Sequence, residues 1–439
     1  MNKKVMAVAV AGVLAAPAAF AQSSNVQLYG RAVLGVDNYK ATGSRDQQNG
    51  GTVAVPTAPT GAECTNQATA TCTSGGDIQY KSRFRVFDNS SRVGLRGTED
   101  LGNGLKAIFQ IETGVNIDNG SNTGQAGTSN VSSGFWASRD SFVGIDSNFG
   151  RLTFGRQSIY WANGVNAQFA ANYINTEIPW TNGTGFGRLG VPTARTNNVA
   201  QYTTPTFAGI NGTLSWSPGA TTATNVPAMA GQEAVQNNNS SETNGVVYGA
   251  TLRGTWGPFY VQGDWINGKS NSPIGGGSAI APNPRADITA WKLGGSWGYM
   301  PGARIGVIWA MIERNQVASL GAANAGTEAD IDGWTLNWEH TFGNFQVMAQ
   351  YGFTSDIGGC NGTETVSCGN SDSKGYMIGG RYFLSKRTWL FASWNKVDND
   401  KNAFSDYTGG NITSVSGVGN ITPYGADPQI WALGIFHQF

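Results

Sequence analysis

The sequence predicts an all-β fold, a 16-stranded antiparallel β-barrel that closes on itself and spans a membrane. Three observations carry that reading. Segments of roughly 9–13 residues, apolar at every second position, recur along the whole chain. Short turns rich in Gly and Asn alternate between them with long polar connections. Beyond the N-terminal 21 residues there is no apolar run of about 18 residues. A membrane is then crossed only by strands, and the strands must close to satisfy their backbone hydrogen bonds.

The elements follow in order. Residues 26–37 put Val26, Leu28, Gly30, Ala32, Leu34 and Val36 on one face, as the two-residue repeat of an extended chain dictates. A long polar stretch runs from there to about Lys81. Seven hairpins follow, each with a tight turn. The first joins 90–99 to 105–117 through 101–104, and within it Ala107, Phe109 and Ile111 oppose Lys106, Gln110 and Glu112. The second joins 138–147 to 151–157 through 148–150, and a long stretch, 158–194, comes after it. The third and fourth join 195–205 to 210–217 and 245–255 to 259–266. The fifth, sixth and seventh join 287–299 to 303–314, 332–342 to 345–356, and 374–384 to 388–398. The last strand, 428–439, aligns Trp431, Leu433, Ile435 and Phe439 and ends the chain on an aromatic residue.

One strand, seven hairpins and one strand give an even count, which closes an antiparallel sheet without an edge. Trp297, Trp334, Trp389, Trp431 and Phe439 fall near strand ends, where aromatic girdles are expected. A soluble secreted β-protein would share the alternation and the Gly-rich turns. It would not require the short-and-long asymmetry of the connections or the terminal aromatic.

Residues 1–21 read as a cleaved secretory signal: Lys3 and Lys4, an apolar run over 5–16, then Ala19-Phe20-Ala21. Residues 22–439 are left as one barrel domain. Lys+Arg and Asp+Glu each number 28, so loss of Lys3 and Lys4 leaves a net charge of −2, which argues against a nucleic-acid partner. Cys64 with Cys72 and Cys360 with Cys368 stand in Gly/Thr/Asn-rich connections. Two short-loop disulfides are expected in an exported chain. A zinc site would want a nearby His or C-x-x-C spacing, so no metal is expected.

Leu28-Tyr29-Gly30, residues 91–102 (SRVGLRGTEDLG), Asn148-Phe149-Gly150, Phe154-Gly155-Arg156-Gln157, residues 384–388 (LSKRT) and the closing Phe436-His437-Gln438-Phe439 together resemble a known family. It is that of the trimeric general porins of Gram-negative outer membranes, in the β-proteobacterial branch, and the resemblance spans the mature chain. It implies a homotrimer of barrels in the outer membrane, surrounded by lipid and lipopolysaccharide. It further implies short periplasmic turns, long extracellular loops and a third long loop folded inward. The implied function is passive diffusion of ions and small hydrophilic solutes, without a cofactor.

The same resemblance places a basic cluster on the pore wall at Arg31, Arg92, Arg156 and Arg195, facing acidic groups on the third loop. Parity agrees for Arg31 and Arg92, whose apolar neighbours take the opposite face, and for Arg195. A lipid-facing arginine at mid-membrane would cost about 2–4 kcal/mol. Arg156 shares parity with Leu152 and Phe154 and points inward only if the strand loses its regularity after Gly155. Arg96, Lys106, Arg253 and Arg381 also point inward by parity, against Glu99, Glu112, Asp264 and Glu339. The third loop carries one acid, Glu177, beside Arg188, so a weak preference for anions is expected.

Catalysis is not expected. His340 and His437 are the two imidazoles, and neither neighbours a Ser or Asp in a nucleophilic arrangement. The alternative to general diffusion is a channel specific for a small anionic or sugar solute. Tyr160, Trp161, Tyr173 and Trp180 of the third loop would then guide the solute.

Overall fold

The computed structural model describes residues 25–44, 78–118, 136–159, 169, 195–218, 246–270, 286–315, 328–359, 369–400, 403, 405 and 425–439. They form seventeen strand segments. The first eight are β1 (Asn25–Ser44), β2 (Ile78–Asp88), β3 (Arg92–Gly102), β4 (Leu105–Gly114), β5 (Ser141–Ser147), β6 (Gly150–Gln157), β7 (Thr196–Thr203) and β8 (Ile210–Pro218). The others are β9 (Val246–Trp256), β10 (Phe259–Ser270), β11 (Ala286–Met300), β12 (Ala303–Asn315), β13 (Glu328–Phe342), β14 (Phe345–Thr354), β15 (Ser373–Phe383), β16 (Thr388–Asn399) and β17 (Asp427–Gln438).

From β3 onward each segment pairs antiparallel with the next. β1 closes the circle. On one side it meets β17, from Arg31 opposite Gln438 to Thr42 opposite Asp427. On the other it meets both β2 and β3, with Leu34 opposite Asp88 and Arg31 opposite Arg92. β2 and β3 are therefore one stave interrupted at residues 89–91, and the barrel has sixteen staves. Side chains satisfy the interruption: the Ser91 amide donates to Asp88 Oδ1 at 2.8 Å, and Val33 N donates to Ser91 Oγ at 2.8 Å.

The sixteen expected strands are present. The first and second staves extend beyond the predicted bounds, reaching Ser44 and starting at Ile78. Connections alternate as expected. Gly257 and Pro258 alone join β9 to β10, whereas residues 271–285 join β10 to β11. Gly343 takes a φ of 55° in the two-residue turn between β13 and β14, a left-handed conformation that such hairpins demand. The short turns, the start of β1 and the end of β17 share one rim.

Alternation sorts the side chains. In β17 Trp431, Leu433 and Ile435 are 40%, 53% and 44% exposed, while Ile430, Ala432 and Phe436 are buried. In β11 Trp291, Leu293 and Trp297 face out and Lys292 and Ser296 face in. This continuous apolar outer band, wider than a soluble surface tolerates, is the lipid-facing belt of a membrane barrel. Trp297, Trp334, Trp431 and Phe439 lie on the exposed side. Trp389 does not: it is buried in the parity of Phe391 and Val397 and stacks inside on Phe436. Its nearness to a strand end suggested a girdle, but its parity decides.

The segment after β6 enters the barrel at both of its described interior positions. Ile159, 4% exposed, packs on Gly249 of β9, where a Cβ would meet its Cγ2 at 2.0 Å. Phe169, 2% exposed, reaches the far wall, against Ile308 and Tyr260 and over Gly306 of β12. Glycine at 249 and 306 is thus what lets an inner side chain lie flat on the wall.

Leu293→Arg, near mid-height of β11, is expected to lower the folding free energy in lipid vesicles by about 2–4 kcal/mol. Urea titration of the refolded protein measures this, and a loss under about 1 kcal/mol would contradict lipid exposure there. Phe169→Ala removes the far-wall anchor and is expected to raise single-channel conductance while the barrel still refolds; unchanged conductance would show that Phe169 does not limit the pore.

Candidate functional site

Six adjacent staves, from β1 to β7 with β2 and β3 counted as one, bring side chains to one patch of charge on the inner wall. In β1 the buried Val33, Asp37 and Tyr39 mark the inner face, which Tyr29 and Arg31 share. In β3 Arg92, Gly94 and Arg96 face inward while Val93 and Leu95 face out. In β4 Glu112 is 5% exposed inside and Ile111 is 38% exposed outside.

Glu112 is the hub. Its Oε1 lies 2.6 Å from Arg139 Nε and its Oε2 3.6 Å from Arg92 Nε. Tyr29 OH donates to Oε2 at 3.1 Å. The Arg139 amide also donates to the Glu112 carbonyl at 3.0 Å, so backbone and side chain hold Arg139 together. A charged group this buried persists only when paired and hydrogen-bonded.

Asp140 is a second hub. Its Oδ1 accepts from the Ser158 amide at 2.7 Å and from Ser158 Oγ at 2.8 Å. Its Oδ2 stands 3.4 Å from Arg195 Nε. One carboxylate thereby ties Ser158, just after β6, to Arg195, just before β7. Arg156 joins from β6, donating through Nε to the Ser138 carbonyl at 3.0 Å and through a terminal nitrogen to Asn197 Oδ1. The pairing shifts register between Gly155 and Gln157. Gly155 has a φ of 151°, and a Cβ there would fall 2.2 Å from the Ser141 carbonyl oxygen. This is the loss of regularity that Arg156 needed in order to turn inward, and a β-bulge supplies it.

The structure brings together Arg92, Arg156 and Arg195, with Arg31 directly opposite Arg92. The sequence reading missed Arg139 and Asp140. Arg139 has the parity of the outward Val143 and Ile145, and the left-handed Ala137, φ 67°, precedes it, so no periodic signal pointed to it. Arg96 lies over the Tyr29 ring at 5.1 Å. Arg381 lies over Phe383 and Trp389. Arg253 faces inward on β9 beside the buried Thr251. Lys106 is exposed at the short-turn rim, opposite Asp146 and Asp100. Glu177, Arg188, the four third-loop aromatics and Cys64, Cys72, Cys360 and Cys368 lie outside the described residues.

The far wall is charged but more nearly balanced, with Arg253 beside two acid–base pairs. Arg304 Nε donates to Glu339 Oε1 at 3.0 Å. Asp264 stands opposite Lys292 and accepts from Thr251 Oγ1 at 2.8 Å and Gln262 Nε2 at 2.7 Å. Neither imidazole joins a charged cluster: His340 stacks on Phe342 at 3.8 Å, and His437 Nδ1 is 2.9 Å from Thr388 Oγ1. Among the described residues, the arrangement is a lumen with a strongly basic side and a more nearly balanced side, suited to attracting and passing solutes.

Comparison with known proteins agrees. The Gram-negative porin family pattern matches residues 7–402. An outer membrane porin protein of Bordetella pertussis is 28% identical over 365 residues, covering 74% of this chain and 82% of that one. The major outer membrane protein P.IB of Neisseria lactamica is 26% identical over 353 residues, covering 79% and 87%. Among solved structures, the anion-selective porin from Comamonas acidovorans superposes with a TM-score of 0.62 at 19% identity, covering 95% of this chain and all of that one. OmpT of Vibrio cholerae, in its trimer form, superposes with a TM-score of 0.56 at 12% identity, covering 95% and 100%. Closed barrel, apolar belt, charged lumen and family match converge: this chain belongs to the Gram-negative porin family, an integral β-barrel channel of the outer membrane and not an enzyme.

Proposed function

We propose that the channel is a homotrimer of water-filled barrels through which ions and small hydrophilic solutes diffuse passively, with a preference for anions. One observation carries the anion preference. Arg31, Arg92, Arg139, Arg156 and Arg195 share one wall with Glu112 and Asp140, leaving three positive charges in excess, while the far wall adds Arg253 to two acid–base pairs. Low-dielectric protein around a narrow aqueous path focuses such a field and concentrates the opposite ion. The fold is shared with a Comamonas acidovorans porin described as anion-selective, which fits the reading. Trimer formation follows from the motif resemblance and fits the trimer form known for OmpT of Vibrio cholerae. Removal of residues 1–21 on export, contact with lipopolysaccharide and two disulfides in the outer connections belong to the same proposal.

Reversal potentials across a planar bilayer in a potassium chloride gradient test it. The wild-type protein is expected to favour chloride. Arg139→Gln should reduce the chloride-to-potassium permeability ratio and Glu112→Gln should increase it, each by up to about fivefold, since one unit charge at close range in water is worth about 1 kcal/mol. A wild-type preference for potassium would overturn the proposal.

A further inference from the structure

A row of side chains runs across the inner wall at the short-turn rim. Four neighbouring staves contribute one each: Arg31 from β1, Phe436 from β17, Trp389 from β16 and Arg381 from β15. The Phe436 and Trp389 rings stack face to face, centroids 3.7 Å apart and planes within 10°. Arg31 lies over the Phe436 ring at 5.7 Å. At the other end Arg381 lies over Trp389 at 5.1 Å and over Phe383 at 5.1 Å.

The row is built, not incidental. Arg31 Nε donates to the Ser90 carbonyl at 3.1 Å, and Arg381 Nε donates to Gln346 Oε1 at 2.5 Å. Phe436 and Trp389 are 3% and 8% exposed, whereas both arginines remain partly exposed. The Trp389 indole N–H is buried with no hydrogen-bond partner among the described residues. A ring face orients a guanidinium and leaves its charge in place. With neighbouring strands about 4.8 Å apart, three intervals separate the two guanidiniums by roughly 14 Å.

We propose that this row is a periplasmic-side binding station for elongated organic dianions, with an acidic group at each end. One carboxylate meets each guanidinium, and the apolar middle of the solute lies across the ring row. Engaging both ends of one molecule raises the effective concentration at the second contact and lengthens the stay. The station shares Arg31 with the basic wall, but Arg381 belongs to it alone. It rests on the channel reading and does not require that the pore prefer chloride.

The test uses the full-length protein in planar bilayers, with succinate or sebacate added and the residence time of each blocking event measured. Sebacate is expected to reside about tenfold longer than succinate, the effect of one additional anchored end worth about 1.4 kcal/mol. Arg381→Gln and Trp389→Leu should each erase most of that ratio. Arg381→Lys, which keeps the charge but loses the planar stack, should retain only part of it. The monomethyl ester of sebacate, with one charge, should behave like succinate. Arg139→Gln should change both diacids alike and leave the ratio intact. A conducting channel with equal residence for the two diacids, or a ratio that survives Arg381→Gln, overturns the station while leaving the channel reading standing. Absence of any conductance would instead sink the channel reading.

Discussion

Everything in this barrel depends on the seam between its first and last strands. In hydrocarbon an unpaired backbone group costs several kcal/mol, so a sheet with two free edges does not persist there. β1, at 20 residues the longest segment, pairs along both sides to prevent this. The chain end is part of the ladder: the Gly30 amide donates to the Phe439 carbonyl at 3.2 Å, and the Phe439 amide donates to the Gly30 carbonyl at 3.1 Å. A Cβ at Gly30 would fall 2.4 Å from the Phe439 ring. The Phe439 ring therefore lies over a glycine of the first strand.

Closure divides the side chains into two solvents. Outside, Leu, Ile, Val and Trp meet lipid; inside, charge is tolerated because water, partners or both are at hand. The lumen then uses its charges unequally. Arg304 with Glu339, Lys292 opposite Asp264 and Arg85 with Asp37 at 2.8 Å neutralise one another on their walls. Around Glu112 and Asp140 the arginines outnumber the acids. Asp140 has a further consequence, since it holds Ser158 and Arg195 at once and so ties the chain just after β6 to the chain just before β7.

Much of this was legible in the sequence, and the reason is geometric. Period-two alternation in β17, the glycine turns at 257 and 343, and the short-and-long rhythm of connections are local features that survive folding unchanged. Inward placement of Arg31, Arg92 and Arg253 followed from the same parity. Parity is less informative where a strand bends or breaks. Arg139 follows a left-handed Ala137 and carries the wrong parity for its true direction. Arg156 turns inward only through the bulge at Gly155. The β2 segment begins inside the stretch read as polar connection to about Lys81, yet Phe84 and Val86 face out at 71% and 64% exposure while Arg85 pairs inside. Trp389 was assigned by its place near a turn when its neighbours' parity already pointed inward.

The most direct test of the account is amide hydrogen exchange along the seam in membrane-embedded protein. Amides of β1 from Val33 to Thr42 and of β17 from Asp427 to Gly434 should exchange as slowly as those of the interior pair β11 and β12. Exchange in β1 and β17 at the fast rate of an open sheet edge would contradict closure, and the account of the pore would fall with it.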